Sequence, residues 1–266
     1  MNIDYIKCCD CLDGMKELPD ESIDLVVTSP PYDNLRDYHG FSFDFENIAK
    51  QLFRITKVGG VIVWIVDDAT INGSRTGTSF KQALFFKEIG FNIHDVMIWR
   101  KDCFTFPDET RYPNCFEYMF ILSKGKPKTF NPIKDRINKW YGTVVHGTSR
   151  NTDGTTFRKS NDKKNNVQQY GARFNVWDLA TEKNNTTGHP APFPFNLAKD
   201  HIKSWSNEGD VVLDIFLGSG TTADACIQTK RHYIGFEISP EYYEIAKQRI
   251  EDSKKIAKQI TFDDII

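Results

Sequence analysis

The sequence predicts an α/β fold around one mixed, mostly parallel sheet that carries an inserted region. Three observations predict it. Short β-branched apolar runs, as at 23–27 and 61–66, have the composition of strands buried on both faces. Stretches of helical periodicity alternate with them, the pattern of strand–helix–strand crossovers. From Lys124 to about Arg173 the alternation stops and the composition turns basic and rich in Asn, Thr and Gly.

Residues 5–8 read as a strand, followed by a polar turn at Asp10, a short helix over 12–18 and a turn at 19–22. Residues 23–27 are a buried strand. It must end at Thr28-Ser29-Pro30-Pro31-Tyr32, because successive prolines cannot continue a ladder. Phe45, Ile48, Ala49, Leu52, Phe53 and Ile55 fall on one helical face, and Val58-Gly59-Gly60 is expected to stop that helix. Residues 61–66 form the next strand, 80–89 a helix closed by Gly90, and 91–99 and 115–122 two further strands. The alternation in the latter suits antiparallel pairing. Residues 151–169 are weakly patterned and read as a loop or arm. Regular structure resumes with a helix at 197–205, a strand at 211–216, a tight turn at 217–222 and a helix at 223–229. A strand at 233–237 and a closing helix at 241–256 complete it. There is no internal repeat. The expected organisation is 1–123 and 181–266 as two halves of one domain, with 124–180 as the insertion.

The chain has 266 residues, 39% hydrophobic and 13% aromatic, enough to pack a core and exclude disorder. Its net charge of −2 conceals an asymmetry. Between Lys124 and Arg173 twelve Lys and Arg face three Asp, so the remainder is strongly acidic. That points to a local polyanion contact, against the plainer reading of a solvated loop. Cys8, Cys9, Cys11, Cys103, Cys115 and Cys226 show no zinc spacing, so no metal is expected, the thiols read as reduced, and Cys8, Cys9 and Cys11 read as packing residues. With no apolar run near the ~18 residues that span a bilayer, the expectation is a cytoplasmic protein without a membrane partner.

Two motifs carry chemistry. Asp214-Ile215-Phe216-Leu217-Gly218-Ser219-Gly220-Thr221-Thr222 sits at a strand–turn–helix junction, where glycines admit close approach of a ligand. Glu237 ends the next strand, where a carboxylate can hold a ribose diol. Ser29 and the Pro30 carbonyl can accept hydrogen bonds from an amino group, Pro31 stiffens the loop, and Tyr32 can stack on a planar ring. The loop has no Cys nucleophile.

Together these motifs resemble the amino-methylating DNA methyltransferases, and their order resembles the β-class of that family. Val27 to Tyr32 looks like the family's catalytic motif and Asp214 to Thr222 like its cofactor motif. His189-Pro190-Ala191-Pro192-Phe193-Pro194 looks like a further cofactor-side motif, and Phe116-Glu117 resembles one lining the base pocket. The resemblance implies a Rossmann-like methyltransferase fold using S-adenosylmethionine, and a target-recognition region in the insertion. It implies Asp10, Thr28, His189, Phe193, Asp214, Phe216, Gly218, Ser219, Gly220, Thr221 and Glu237 as the donor's surroundings; Asp37 and Glu117 are candidates for support of the base site, with a structural role the favoured reading of each. The target base would flip onto Tyr32, with Ser29 and Pro30 steering its amino group. Ser29 resembles the cytosine-N4 subgroup; adenine N6 is the alternative. Double-stranded DNA is the implied substrate, with Lys134, Arg136, Lys139, Arg150, Arg158, Lys159, Lys163 and Lys164 as contacts. A homodimer and a cognate restriction endonuclease are the further partners it admits, in a bacterial, archaeal or phage-encoded enzyme. From another class, a nucleotide-dependent oxidoreductase would use Gly218 and Glu237 but leave Ser29 to Tyr32 unexplained. A DNA-binding protein without catalysis, or RNA or protein as substrate, are the other readings. His39, His94, His146, His201 and His232 read as packing or surface residues.

Overall fold

The computed structural model describes residues 1–31, 43–105, 109–144, 147–158, 166–181 and 194–263. The chain divides into two compact units, 1–131 with 175–266, and 132–174.

The first unit is built on an eight-stranded sheet. Its strands are β1 (Tyr5–Cys8), β2 (Ile23–Thr28), β3 (Thr56–Val66), β6 (Asn92–Thr105), β7 (Asn114–Ser123), β12 (Val176–Asp178), β13 (Val211–Asp214) and β14 (His232–Glu237). A small ribbon, β4 (Thr70–Ile71) with β5 (Ser74–Arg75), follows β3. The sheet order is β1-β14-β13-β2-β3-β7-β6-β12. Only β7 runs against its neighbours, so the sheet is mixed and mostly parallel, as expected. The helices are α1 (Cys11–Lys16), α2 (Phe45–Ile55), α3 (Thr78–Glu88), α4 (Phe195–Trp205), α5 (Thr221–Gln228) and α6 (Pro240–Asp263).

The β-branched runs form the central strands because both their faces are covered: Ile23, Leu25, Val26, Val27 and 61–66 are all buried. Under α2 and α3 the core is aromatic. Phe86 lies edge-on to Trp64, Phe45 and Phe91, and the Trp64 indole donates to Gln82 Oε1 at 2.9 Å.

Two strands run longer than the apolar pattern foretells. β3 begins at Thr56, ahead of the glycines expected to end the preceding helix. Gly59, at φ +83°, and Gly60 instead exchange backbone hydrogen bonds with Lys124. β6 continues through Arg100, Lys101 and Asp102, charged residues that hid it, and takes the unpredicted β12 as a parallel edge strand.

The second unit holds two small antiparallel pairs, β8 (Arg136–Ile137) with β11 (Tyr170–Gly171), and β9 (Thr148–Arg150) with β10 (Thr156–Arg158). Residues 156–158, expected in a loop, are therefore strand, while 159–165 lie outside the described residues. This unit is narrower than the predicted insertion of 124–180. Lys128 N donates to Gly59 O and Asn131 N to Ser204 O, which keeps 124–131 in the first unit. On the other side Asn175 O accepts from Ile98 N, and β12 follows in the sheet.

Candidate active site

The residues with chemical potential gather where β1, β14, β13 and β2 end. Thr28 closes β2 and donates its hydroxyl to Asp214 Oδ1 at 2.7 Å, tying together two strand ends 186 residues apart in sequence. Asp214 also accepts from the Phe216 N–H at 3.1 Å and, through Oδ2, from Thr222 Oγ1 at 2.6 Å. This carboxyl is 1% exposed, and burial pushes its pKa up to about 6 against the pull of those three donors.

Glu237 closes β14. Its Oε2 accepts from the Gly218 N–H at 2.7 Å and its Oε1 from the Ser239 N–H at 2.8 Å. Burial raises its pKa too. Two donors leave lone pairs free on a carboxylate that can accept about four bonds, so Glu237 retains capacity for a diol. Beside it, Cys9 N donates to Glu237 O, and Asp10 caps α1 by accepting from Leu12 N at 2.7 Å.

The turn between β13 and α5 rests on α6. Gly218 and Gly220 hold φ of +53° and +83°, a region closed to most side chains. A Cβ on Gly220 would also stand 3.1 Å from the Ala246 backbone. Ser219 and Thr221 are buried, and Arg249 of α6 reaches both hydroxyls, at 3.4 and 3.0 Å, while pairing with Asp224 at 3.1 Å. These two hydroxyls therefore face the supporting helix, and their residues offer a ligand backbone groups. Arg249 was not foreseen; a lone Arg in a long amphipathic helix looks like any surface cation. The Phe216 ring lies partly exposed against Phe43, with centroids 5.8 Å apart.

Beyond Thr28 the chain leaves the sheet with Ser29 half-buried, Pro30 buried and Pro31 half-buried. Tyr32, Asp37, His189 and Phe193 lie outside the described residues. Next along the same edge, β3 leads into Asp67 and Asp68, which the sequence reading missed. Asp67 binds Asn114 Nδ2 at 2.8 Å and pairs with Arg75. Asp68 accepts from the backbone and hydroxyl of Ser79, anchoring the start of α3. Further on, Glu117 pairs with Lys101 at 3.0 Å, both mostly buried. Along this edge the carboxylates of Asp68 and Glu117 are buried and that of Asp67 partly so, each with matched donors.

The predicted DNA contacts fall in the second unit. Lys134, Lys139 and Arg150 are exposed. Arg136 is pinned: its Nε donates to Ala172 O at 2.9 Å and its guanidinium stacks on Phe174 at 4.5 Å, over the space that Gly171 leaves open. It braces the unit rather than reaching outward. Arg158 lies in β10; Lys159, Lys163 and Lys164 are outside the described residues, as are His39 and His146. His201 is buried and stacked on Trp177, His94 packs edge-on to Trp205, and His232 pairs with Asp4. Among the described residues no trio of His, Cys, Asp or Glu is placed to hold a metal, and no helix is long and apolar enough to cross a membrane.

The model of the N6/N4 methyltransferase family, described as DNA methylase, matches residues 23–248. The orphan methyltransferase M.BamHII of Bacillus amyloliquefaciens is 54% identical over 247 residues, 90% of this chain and 92% of the relative. Among solved structures, the cytosine-N4-specific PvuII DNA methyltransferase superposes with a TM-score of 0.69 at 21% identity, covering 98% of this chain and 93% of that one. The M1.HpyAVI–S-adenosylmethionine complex gives 0.63 at 24%, covering 92% and 98%.

Proposed function

This chain belongs to the N6/N4 DNA methylase family, and from that premise we propose that it methylates the N4 amino group of a cytosine flipped out of double-stranded DNA. It is an S-adenosylmethionine-dependent, amino-methylating DNA methyltransferase; the base and the roles of individual residues are our reading. The observation that supports it is the Thr28–Asp214 hydrogen bond, which ties the end of β2, where Ser29-Pro30-Pro31 begins, to the end of β13, where the chain enters the Gly218 turn held by Glu237.

The donor would lie over Asp10, Phe216, Gly218 and Glu237, with the spare lone pairs of Glu237 on its ribose, and it supplies an electrophilic methyl group. His189 and Phe193 belong to the same reading. Ser29 and the Pro30 carbonyl accept the two amino hydrogens and so aim the nitrogen lone pair; Tyr32 stacks on the base. Asp214, Ser219, Gly220 and Thr221 hold the turn in shape. Lys134, Lys139, Arg150, Arg158, Lys159, Lys163 and Lys164 neutralise phosphates. Replacing Lys159, Lys163 and Lys164 together with Ala would weaken DNA binding and flatten its salt dependence. A homodimer is part of this proposal. The orphan name of the Bacillus relative weighs towards an enzyme that works without a cognate restriction endonuclease.

The test is to incubate the protein with labelled S-adenosylmethionine and genomic DNA, digest to nucleosides and identify the labelled one by mass. N4-methylcytosine is expected, with Ser29→Ala losing the label but retaining donor binding. N6-methyladenine would overturn the choice of base, and wild-type protein as silent as Ser29→Ala would overturn DNA as substrate.

A further inference from the structure

The second unit is unusual in what it lacks. None of its described residues is buried, it has no cysteine, and its nine Lys and Arg face three Asp and no Glu. A unit of 43 residues without a core or a staple has little to hold it in shape by itself. Its large apolar side chains lie on the surface instead: Ile137, Trp140, Tyr141, Phe157, Tyr170 and Phe174. Exposed aromatics among an excess of cations are the composition of a surface completed by nucleic acid.

One turn presents them in a built geometry. Trp140 and Tyr141 are 74% and 62% exposed, at the tip of a turn clamped on both sides. Asn138 N donates to Gln169 O, Gly142 N to Val167 O and Val167 N to Thr143 O. Within the turn, the Thr143 hydroxyl donates to Trp140 O at 2.7 Å, and Gly142 supplies the positive φ of +79°. Asn138 adds a side-chain bond to Gln168 O at 2.8 Å. The backbone that carries both rings is therefore fixed, while the rings touch little protein. Lys139 stands next to them, exposed and without an ion pair among the described residues. A rigid turn holding two bare rings beside a cation suits insertion into a base stack.

We propose that the Trp140–Tyr141 turn is a wedge that stacks on bases of the opened duplex, and that bound DNA supplies the apolar cover this unit lacks. The proposal rests on the reading of the protein as a DNA methyltransferase. Its positive charge makes DNA the occupant; a second copy of this chain is the other candidate, and the test separates them.

Duplex fragments of genomic DNA are titrated with full-length wild-type, Trp140→Ala and Trp140→Phe proteins across a salt series, with donor binding measured alongside. Trp140→Ala is expected to bind duplex about tenfold more weakly, the scale of one lost stacking contact, with an unchanged salt slope and unchanged donor affinity. Trp140→Phe is expected to recover most of the loss. Lys139→Ala, by contrast, reduces the salt slope by about one. Trp140→Ala binding within about twofold of wild type overturns the wedge. So does sedimentation showing that Trp140→Ala splits a dimer at unchanged DNA affinity. Wild-type protein that neither binds nor labels DNA removes the functional reading and the wedge with it, a failure distinct from a normal wild type and an indifferent variant.

Discussion

At the scale of single residues, Asp214 is the clearest device. It is buried, no cation pairs with it among the described residues, and three neutral donors hold it. Its pKa stands near 6, above the ordinary carboxylate value, so the folded state binds a proton that the unfolded state has already released. The stability this gives is fully present below the unfolded pKa and is lost as pH rises through about 6. An Asp214→Asn protein has no such charge to bury. Its melting temperature relative to wild type should therefore rise as pH is taken from 4 to 7, whatever constant offset the altered hydrogen bonds bring. A pH-independent difference would remove Asp214 as the titrating group. Glu237 titrates in the same direction, and its charge adds to the upward push on Asp214, so its coupling contributes to the same difference. Asp214 and Glu237 were legible because each ends an apolar strand. Asp67 and Asp68 were not, because nothing in their spacing distinguishes them from the polar start of a loop. Their partners Asn114, Arg75 and Ser79 come from three other places in the chain.

At the scale of elements, the close approach of α1 to β14 sets the floor on which the first strand ends meet. A Cβ added at Gly14 would stand 2.6 Å from the ring of Phe236, which is wholly buried and has no room to move. Gly14→Ala should cost about 1–3 kcal/mol, the ordinary penalty of overpacking, read as a fall in melting temperature. A neutral substitution would mean that α1 can slide on the strand. The α2 boundaries followed directly from the 3.6-residue period, since its apolar stripe is continuous from Phe45 to Ile55. Strands announced themselves where both faces are buried. They failed to do so where the sheet ends: β12 is three residues long, and its only sheet partner among the described residues, β6, lies some 80 residues earlier. Such an edge strand is created by tertiary pairing, which local composition does not record. Arg249 is a similar case, because its task is set by Ser219, Thr221 and Asp224, which lie 25 to 30 residues away.

At the scale of the whole molecule, charge is divided between the two units. The second unit is net +6 while the chain as a whole is −2, so affinity for DNA should concentrate on a sixth of the residues and vary steeply with salt. Replacing Lys134, Lys139 and Arg150 together with Ala should lower the slope of log affinity against log salt by about three, with donor binding untouched. An unchanged slope would place the phosphate contacts elsewhere. The change of composition across the second unit was legible. Its limits were not, because they are set by hydrogen bonds from Gly59, Ile98 and Ser204, remote in sequence from both ends. Those same bonds fasten the chain to the catalytic unit at Asn131, where it departs, and at Asn175, where it returns. Among the described residues, the span between them contributes no buried side chain to any core. Substitutions there escape the packing constraint that holds the rest of the sequence. On the proposed reading of this span as the DNA-contacting unit, it can drift, or be exchanged for another, without repacking the first unit, and target choice is then free to evolve faster than chemistry.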